Sequence, residues 1–175
     1  MTTENNNKAG SENGESDKNY KRHQLIVFKL GKEEYGIEID QIKEIVLTPT
    51  ITKMPQTENF IKGVANIRGN IITIVDLEEK FGVNSYLSQA EKSKLGQYTL
   101  VIESDTLKIG ILVRSVPNTL AASDNDIESS QNIVHDSSMD DNYIKGIVKI
   151  EERLIILVDI FKVMTEEVLN SSTNK

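Results

Sequence analysis

The sequence predicts an all-β protein built from two five-stranded β-barrels that are related by a pseudo-two-fold axis. Two observations carry this prediction. From Gln24 onward, short runs of β-branched and aliphatic residues alternate with Gly, Asn, Asp and charged pairs, as expected of many short strands. The order of these runs also occurs twice along the chain. Each copy offers about five short strands, enough to close a small barrel but too few for a two-sheet sandwich.

The repeat is clearest in two pairs of segments. FIKGVANIRGNIITIVD at 60–76 aligns with YIKGIVKIEERLIILVD at 143–159 at an offset of 83, and YGIEIDQIKEIV at 35–46 aligns with IGILVRSVPNTL at 109–120 at an offset of 74. The second copy therefore contains nine more residues between the matched blocks. We place them in the polar stretch 121–142, because surface loops accept added length at a small entropic cost.

The first copy opens with a predicted hairpin. QLIVFKL at 24–30 and YGIEI at 35–39 are apolar runs, and the polar segment GKEE between them is typical of a turn. The pattern then predicts a bend or a helical turn near Asp40 and Gln41. After this bend, the strand continues to Val46.

A second hairpin and a short helix follow in the same copy. Arg68, Gly69 and Asn70 stand between two apolar runs, which predicts a tight turn with glycine taking the unusual backbone angle. LEEKFG at 77–82 then predicts a short helix that stops at Gly82.

The two ends of the chain differ in composition from the repeat. The first 22 residues contain almost nothing apolar, so they cannot bury enough surface to offset their chain entropy. Near the other end, Ile160, Val163, Met164 and Val168 recur at helical spacing, and we expect this helix to complete the core rather than to bind a partner. We expect a disordered tail over 1–22, a first barrel over 23–88, a second barrel over 89–158, a C-terminal helix over 159–170 and a disordered end over 171–175.

Composition excludes several classes of function. The formal net charge is -7, with acidic and basic residues interspersed, which argues against binding to nucleic acid. The chain contains no Cys, so disulfides, thiolate nucleophiles and thiolate metal ligands are excluded. No window approaches the length of a membrane-spanning apolar helix. We therefore expect a soluble, cytoplasmic protein without direct membrane contact.

A search for reactive groups predicts neither an enzyme nor a metal or cofactor site. His23 and His135 have no metal-ligand neighbour at helical spacing, so we expect both to be ordinary solvated side chains. No phosphate-binding glycine loop and no hydrolase motif is present. Asp76 and Asp159 occupy equivalent positions ahead of helical residues, which predicts that both are helix N-caps.

The two copies differ at the tip of one hairpin. The first copy has Asn66, Arg68 and Gly69 there, whereas the second has KIEE at 149–152. A structural requirement would tend to recur in both copies, but a partner-binding surface needs to exist only once. An arginine at a hairpin tip is also commonly just solvated, so residue patterns alone leave both interpretations open.

Apolar residues in the loops are equally ambiguous. Met54, Pro55 and Phe60 lie in a connection of the first copy, and Ile133 and Val134 lie in the polar loop of the second. Such residues either pack onto the barrel or form a patch that binds a partner.

Three segments together resemble the CheW family of chemotaxis coupling proteins. They are EEYGIEIDQIKEIV at 33–46, FIKGVANIRGNIITIVDLEEKFG at 60–82 and IGILVRSV at 109–116, and the resemblance extends from Gln24 to about Met164. It implies two SH3-like barrels and a non-enzymatic adaptor between the cytoplasmic tips of methyl-accepting chemoreceptors and the regulatory domain of the histidine kinase CheA. It also implies recruitment to the inner face of the membrane through the receptors.

The resemblance assigns expected roles to particular residues. Residues expected to bind the receptor are Ile42, Glu44, Asn66 and Arg68; residues expected to bind the kinase are Met54, Phe60, Ile133 and Val134. Pro117 departs from the usual strand residue of the family and should lie at an edge or a bulge, since it cannot donate to a ladder.

Other functions are considered beside this one. A general peptide-binding SH3-like module would need an aromatic groove, which is hard to build without Trp and with nine Phe and Tyr residues. An enzyme with a cleft between the barrels would need clustered reactive side chains, and the sequence shows no such set. A CheV-like fusion to a receiver domain is not expected, because 175 residues leave no room for it.

Overall fold

The computed structural model describes residues 20–93, 96–133 and 143–164. The strands are β1 (Arg22–Leu30), β2 (Glu33–Glu38), β3 (Ile42–Leu47), β4 (Ile61–Ile67), β5 (Asn70–Val75), β6 (Tyr98–Glu103), β7 (Lys108–Val113), β8 (Asn118–Ser123), β9 (Ile127–Ser129), β10 (Ile144–Ile150) and β11 (Arg153–Val158). The helices are α1 (Leu77–Lys80), α2 (Gln89–Lys92) and α3 (Ser130–Ile133), with a further helical segment at 160–164 and short 3-10 turns at Ile39–Gln41, Asn84–Tyr86 and Asp124–Asp126.

The strands form two sheets, which confirms the predicted all-β class. One sheet has six strands in the order β8-β1-β2-β11-β10-β9, and the other has five in the order β3-β6-β7-β5-β4. The six-stranded sheet has one strand more than predicted, because the short β9 pairs with β10. All pairings are antiparallel except β2 with β11 and β5 with β7, which are parallel.

Each sheet combines strands from both copies of the repeat. The hairpin β1–β2 belongs to the first copy but lies in the sheet of β8 to β11, and the equivalent hairpin β6–β7 lies in the sheet of β3, β4 and β5. The parallel pairs repeat with matching register: Leu157 is opposite Gly36, and Ile74 is opposite Gly110. The boundary expected between residues 88 and 89 therefore does not separate the two sheets, because the copies exchange their first hairpins.

The apolar side chains form three clusters. The largest, here called the between-sheet cluster, contains residues of both sheets, and a smaller cluster belongs to each sheet. Along β1, Ile26 and Phe28 face the between-sheet cluster, whereas Leu25 and Val27 face the cluster of their own sheet. β1 is thus buried on both faces, which explains why it is a continuous apolar run rather than an alternating one.

The repeated IKG motif requires glycine for a steric reason. Gly63 and Gly146 each lie at an irregularity in the register of their strand, and a Cβ atom there would lie 2.1 Å from the carbonyl oxygen of Thr52 or 2.4 Å from that of Glu128. A neighbouring backbone therefore approaches closely at both positions, and only glycine leaves room for it.

Both predicted helix caps are confirmed. The Asp76 Oδ1 accepts a hydrogen bond from the Glu79 N–H at 3.1 Å, and the Asp159 Oδ1 accepts one from the Phe161 N–H at 3.1 Å. In the described part of the C-terminal helix, Ile160 is buried in the between-sheet cluster, so this part completes the core as predicted. The rest of that predicted helix lies outside the described residues.

The predictions at other positions have mixed outcomes. Pro117 directly precedes the edge strand β8, as expected for a residue that cannot donate to a ladder. His23 is not an ordinary solvated side chain, since it is only 13% exposed and its Nε2 lies 2.8 Å from the Asp124 Oδ1. His135 lies outside the described residues, as do most of the predicted disordered tail (1–19) and the predicted disordered end (171–175). β1 begins at Arg22, the last residue of the predicted tail.

Candidate functional site

β3 is an edge strand, and one of its faces is exposed and apolar. Ile45 pairs with Leu100, and Leu47 pairs with Tyr98. Leu100 belongs to the between-sheet cluster, and the partly buried Tyr98 packs against it. Paired residues of antiparallel strands project to the same side, so Ile45 and Leu47 extend this cluster beyond the covered core. Their exposed fractions are 38% and 74%.

Ile42 lies at the covered end of this surface. It pairs with Ile102 and is partly buried against the between-sheet cluster. We call Ile42, Ile45 and Leu47 together the β3 apolar face. Exposed aliphatic side chains that continue a buried core are typical of surfaces that bind other proteins.

The opposite side of β3 carries an ion pair with the hairpin β4–β5. The Arg68 Nε donates a hydrogen bond to the Glu44 Oε2 at 2.6 Å. Glu44 is 19% exposed, whereas Arg68 is 74% exposed. This pair joins the edge strand β3 to the hairpin that contains the opposite edge strand β4, and most of the Arg68 side chain remains exposed.

The backbone geometry of the hairpin tip fixes the positions of Asn66 and Arg68. Arg68 has φ 52° and Gly69 has φ 83°, which are the two positive values of a type I′ turn. The Gly69 N–H donates to the Asn66 Oδ1 at 2.9 Å, so the side chain of Asn66 supports the turn. In the second copy, Glu151 takes the same backbone angle, with φ 54°.

The structure thus brings together the residues that were predicted to bind the receptor. Arg68 pairs with Glu44, Asn66 accepts a hydrogen bond from Gly69 in the same turn, and Ile42 lies on the same strand as Glu44 across a register irregularity. The irregularity turns Ile42 towards the between-sheet cluster while Glu44 meets the hairpin. The strand therefore presents an apolar surface on one side and a charged pair on the other.

Of the residues that were predicted to bind the kinase, the structure describes the side chains of Met54 and Phe60. Met54 is 48% exposed in the connection between β3 and β4, as a docking residue should be. Phe60 is only 8% exposed and belongs to the between-sheet cluster, with the Lys80 Nζ 4.5 Å from its ring centroid. Burying an aromatic ring is strongly favourable, which explains its placement. The side chain of Ile133 and all of Val134 lie outside the described residues.

Sequence reasoning missed some exposed residues of this region. Ile45 and Leu47 were not predicted as binding residues. The segment IKEIVL contains apolar residues on both faces of the strand, and this pattern was the signal that one apolar face could be exposed. Ile71 in β5 is 64% exposed and pairs with Asn66, so it lies next to the hairpin tip. Its counterpart in the second copy, Leu154, is 59% exposed.

A charged depression borders Ile42. Its lining includes Asp40, Gln41 and Lys43 from the first copy and 103–105 from the second. Lys43 donates to Glu103, and this hydrogen bond lowers the pKa of the Glu103 carboxyl. In the part of the chain that the structure describes, the Gln41 Oε1 is buried without a hydrogen-bond donor. Polar and charged groups therefore surround one end of the β3 apolar face.

A buried ion pair lies in a different part of the molecule and was also missed. Arg114, which follows β7, donates to the Glu78 carboxylate of α1 and to the Gly31 carbonyl oxygen, the latter at 2.8 Å. The Gly31 N–H donates to the Glu78 Oε1 at 2.9 Å. Burial raises the pKa of Glu78, although the Gly31 N–H and Arg114 both oppose this shift. Nothing in the sequence pairs residues so far apart in the chain.

Within residues 20–93, 96–133 and 143–164, no group of three or more His, Asp or Glu residues could hold a metal ion. The same residues include no helix that is long and apolar enough to cross a membrane.

Comparison with known families decides the identity of the fold. The CheW-like domain family matches residues 24–168. This chain belongs to the CheW family. Among curated CheW proteins, the chemotaxis protein CheW of Treponema pallidum is 28% identical over 156 residues, which cover 89% of this chain and 90% of the relative. The chemotaxis protein CheW of Klebsiella aerogenes is 32% identical over 144 residues, with 82% of each chain covered.

A solved CheW structure supports the same conclusion. The scaffolding protein TtCheW from Thermoanaerobacter tengcongensis matches with a TM-score of 0.66 and 29% identity, covering 79% of this chain and 90% of that one. The likeness confirms the predicted CheW resemblance and the predicted fold class of two SH3-like β-barrels.

Proposed function

We propose that this chain is a non-enzymatic chemotaxis adaptor that couples methyl-accepting chemoreceptors to the regulatory domain of the histidine kinase CheA. Membership of the CheW family supports the adaptor role, as do relatives that are named chemotaxis proteins and a solved relative named a scaffolding protein. In this proposal the chain acts in the cytoplasm and reaches the inner face of the membrane only through its receptors.

The observation that carries the receptor half of this proposal is the surface of β3. A helical partner buries an apolar stripe while its polar residues meet charged groups at the rim. The β3 apolar face offers Ile45 and Leu47 for the stripe, and the exposed Arg68 lies on the other side of the same strand. We therefore propose that the cytoplasmic tip of a receptor, which is helical, packs along β3 with Arg68 at its edge.

The kinase contact is proposed on separate residues. Met54 is exposed and offers a flexible apolar side chain, which suits a docking surface. We retain Ile133 and Val134 as proposed contacts on the basis of the resemblance. Phe60 is buried, so its proposed role is to support the connection that carries Met54 and not to touch the kinase.

The proposed mechanism acts through binding geometry and not through a chemical reaction. Receptor conformations that bind the adaptor with different affinity shift the population of adaptor–kinase arrangements, and the kinase responds to that shift. The adaptor needs two independent docking surfaces for this role, one for each partner.

Reconstitution of a receptor fragment, CheA and this protein tests the proposal. Leu47→Asp places a charge at the most exposed end of the β3 apolar face, and we expect receptor binding to fall at least about tenfold, equivalent to about 1.4 kcal/mol, while binding to CheA is kept. Leu154→Asp is the matched control, because Leu154 is also an exposed leucine, with 59% of its surface exposed against 74% for Leu47, and it lies on the other sheet. Equal receptor binding and equal kinase stimulation by both variants would argue against the receptor surface.

The alternative of a general SH3-like module for proline-rich peptides has no observation in its favour. Among the described residues, the clearly exposed aromatic side chains are Tyr20, next to the start of β1, and Tyr86, between the two copies. Binding of a proline-rich peptide requires several aromatic rings side by side. A titration with such peptides should show no saturable binding.

A further inference from the structure

The exchange of hairpins makes each half of the chain incomplete by itself. In the described residues there are nine strand pairings, and four of them join the first copy to the second: β1–β8, β2–β11, β3–β6 and β5–β7. Within the described part of the chain, β3 has its ladder only with β6, and β8 has its ladder only with β1. A separated first half would therefore keep two isolated hairpins and one unpaired strand. Isolated hairpins are marginally stable in water.

All three apolar clusters depend on the same exchange. The cluster of the six-stranded sheet combines Leu25 and Val27 of the first half with Ile155 and Leu157 of the second. The cluster of the five-stranded sheet and the between-sheet cluster are mixed in the same way. No cluster is contributed by one half alone, so a half that is removed exposes apolar surface in every core at once.

Polar contacts also join the halves. The buried Glu78 belongs to the first half and its partner Arg114 to the second, and both hydrogen-bond the backbone of Gly31. Removing either half would leave a buried charge without its partner, which is strongly unfavourable.

The part of the connecting segment that follows the buried Leu87 contributes little by comparison. α2 (Gln89–Lys92) lies in this segment and buries none of its residues. Its N-terminus is capped locally by Ser88 and Glu91, which hydrogen-bond one another. Covalent continuity at α2 is therefore not what positions the strands on its two sides.

We propose that residues 1–92 and 93–175 are obligate partners that bind each other without the connecting peptide and that neither half folds without the other. The chain behaves as a fused heterodimer of two exchanged units. The β3 apolar face also depends on this assembly, because Ile45 and Leu47 come from one half and the paired Leu100 and Tyr98 from the other.

The test uses the full chain with a protease recognition sequence inserted between Lys92 and Ser93. The insertion protein is first compared with the unmodified protein by circular dichroism, and a second variant carries the insertion between Ala90 and Glu91. A scrambled insertion that resists the protease is the matched control. After cleavage of the folded protein, we expect one native species with the mass of the whole chain. Elution of the two halves as separate species at micromolar concentration would overturn the proposal.

Thermal unfolding of the cleaved protein tests the mutual dependence. Unfolding of a bimolecular complex depends on mass action, so a tenfold increase in concentration should stabilise the cleaved protein by about 1.4 kcal/mol and raise its midpoint. The uncleaved control should show no concentration dependence. The halves are also separated in urea and remixed, and return of the native strand signal is expected only in the mixture. A half that regains a cooperative transition alone would contradict the proposal.

Discussion

At the residue scale, the tip of the first hairpin combines a backbone requirement with a surface function. Arg68 takes a left-handed backbone angle that is costly for a residue with a Cβ, and its side chain remains 74% exposed. Glu151 takes the same angle at the equivalent position of the second copy. The shared angle is therefore set by the repeat, whereas the arginine side chain is particular to the first copy.

This distinction leads to a prediction about paired substitutions. Asn is the non-glycine residue that best suits a left-handed position, so both Arg68→Asn and Glu151→Asn should keep the turn. We expect each variant to unfold within about 1 kcal/mol of the unmodified protein, since an exposed ion pair such as Arg68–Glu44 contributes about 0–1 kcal/mol. Only Arg68→Asn should weaken receptor binding. A calorimetric scan and a receptor pull-down of both variants measure this, and a large loss of stability in Arg68→Asn alone would show that its role is structural.

At the element scale, the buried pair Glu78–Arg114 and its hydrogen bonds to Gly31 join α1 to the β1–β2 turn and to the segment that follows β7. Asp76 caps α1, and burial raises the pKa of both Asp76 and Glu78. A carboxyl group whose pKa is raised in the folded state favours folding more at low pH and less as the pH rises through the raised pKa. Glu34 and Glu38 have lowered pKa values, so their contribution to the stability of the protein is lost in acid, which is the common pattern for carboxylates. Asp76 and Glu78 act in the opposite direction.

Removal of the arginine should make this pH dependence visible. Arg114→Met leaves Glu78 buried without its counter-charge, and we expect a loss of about 3–5 kcal/mol in the free energy of unfolding at pH 7. The loss should be smaller near pH 5, because Glu78 can then be protonated more easily and a neutral carboxyl tolerates burial. Urea titrations at the two pH values measure the difference.

The control for this prediction is the double variant Arg114→Met/Glu78→Leu. Replacing both members of a buried pair by apolar residues is often neutral or stabilising. We therefore expect the double variant to recover most of the stability and to lose the added pH dependence. If the single variant is destabilised equally at both pH values, the ionised Glu78 is not the cause.

At the scale of the whole molecule, one apolar cluster lies between the two sheets and each sheet has a smaller one of its own, and both halves of the chain contribute to all three. Neither sheet can lose its strands without disturbing the other, because the chain passes from one sheet to the other between β2 and β3 and returns between β7 and β8. The molecule should therefore unfold in one cooperative step, in spite of its two barrels.

Two core substitutions test this cooperativity. Leu25 is fully buried in the cluster of the six-stranded sheet, and Ile72 is 1% exposed in that of the five-stranded sheet. We expect Leu25→Ala and Ile72→Ala each to destabilise the protein by about 2–5 kcal/mol and to shift the same single transition. Circular dichroism and tyrosine fluorescence followed through one urea titration should give coincident curves. Two separable transitions, each shifted by only one of the variants, would disprove the shared unfolding.

Much of the fold and part of the site followed from the chain alone. The two hairpins, the N-caps Asp76 and Asp159 and the short helix ending near Gly82 depend on neighbouring residues, so local patterns predict them. The repeat also predicted two equivalent units. It could not predict which copy supplies each strand of a sheet. The equivalent strands of the two copies have similar sequences, so a given strand can form the same ladder with either of them.

The sequence by itself therefore determined the all-β class, the duplication and the residues of the Arg68 hairpin, since these depend on local chemistry and on internal comparison. Only the tertiary structure decided the exchange of hairpins, the burial of Phe60, the pair Glu78–Arg114 and the exposure of Leu47. These features depend on contacts between residues far apart in the chain. They are stabilised when side chains from distant segments are buried against one another and when opposite charges from distant segments leave water as a pair. No single segment contains both partners of such a contact.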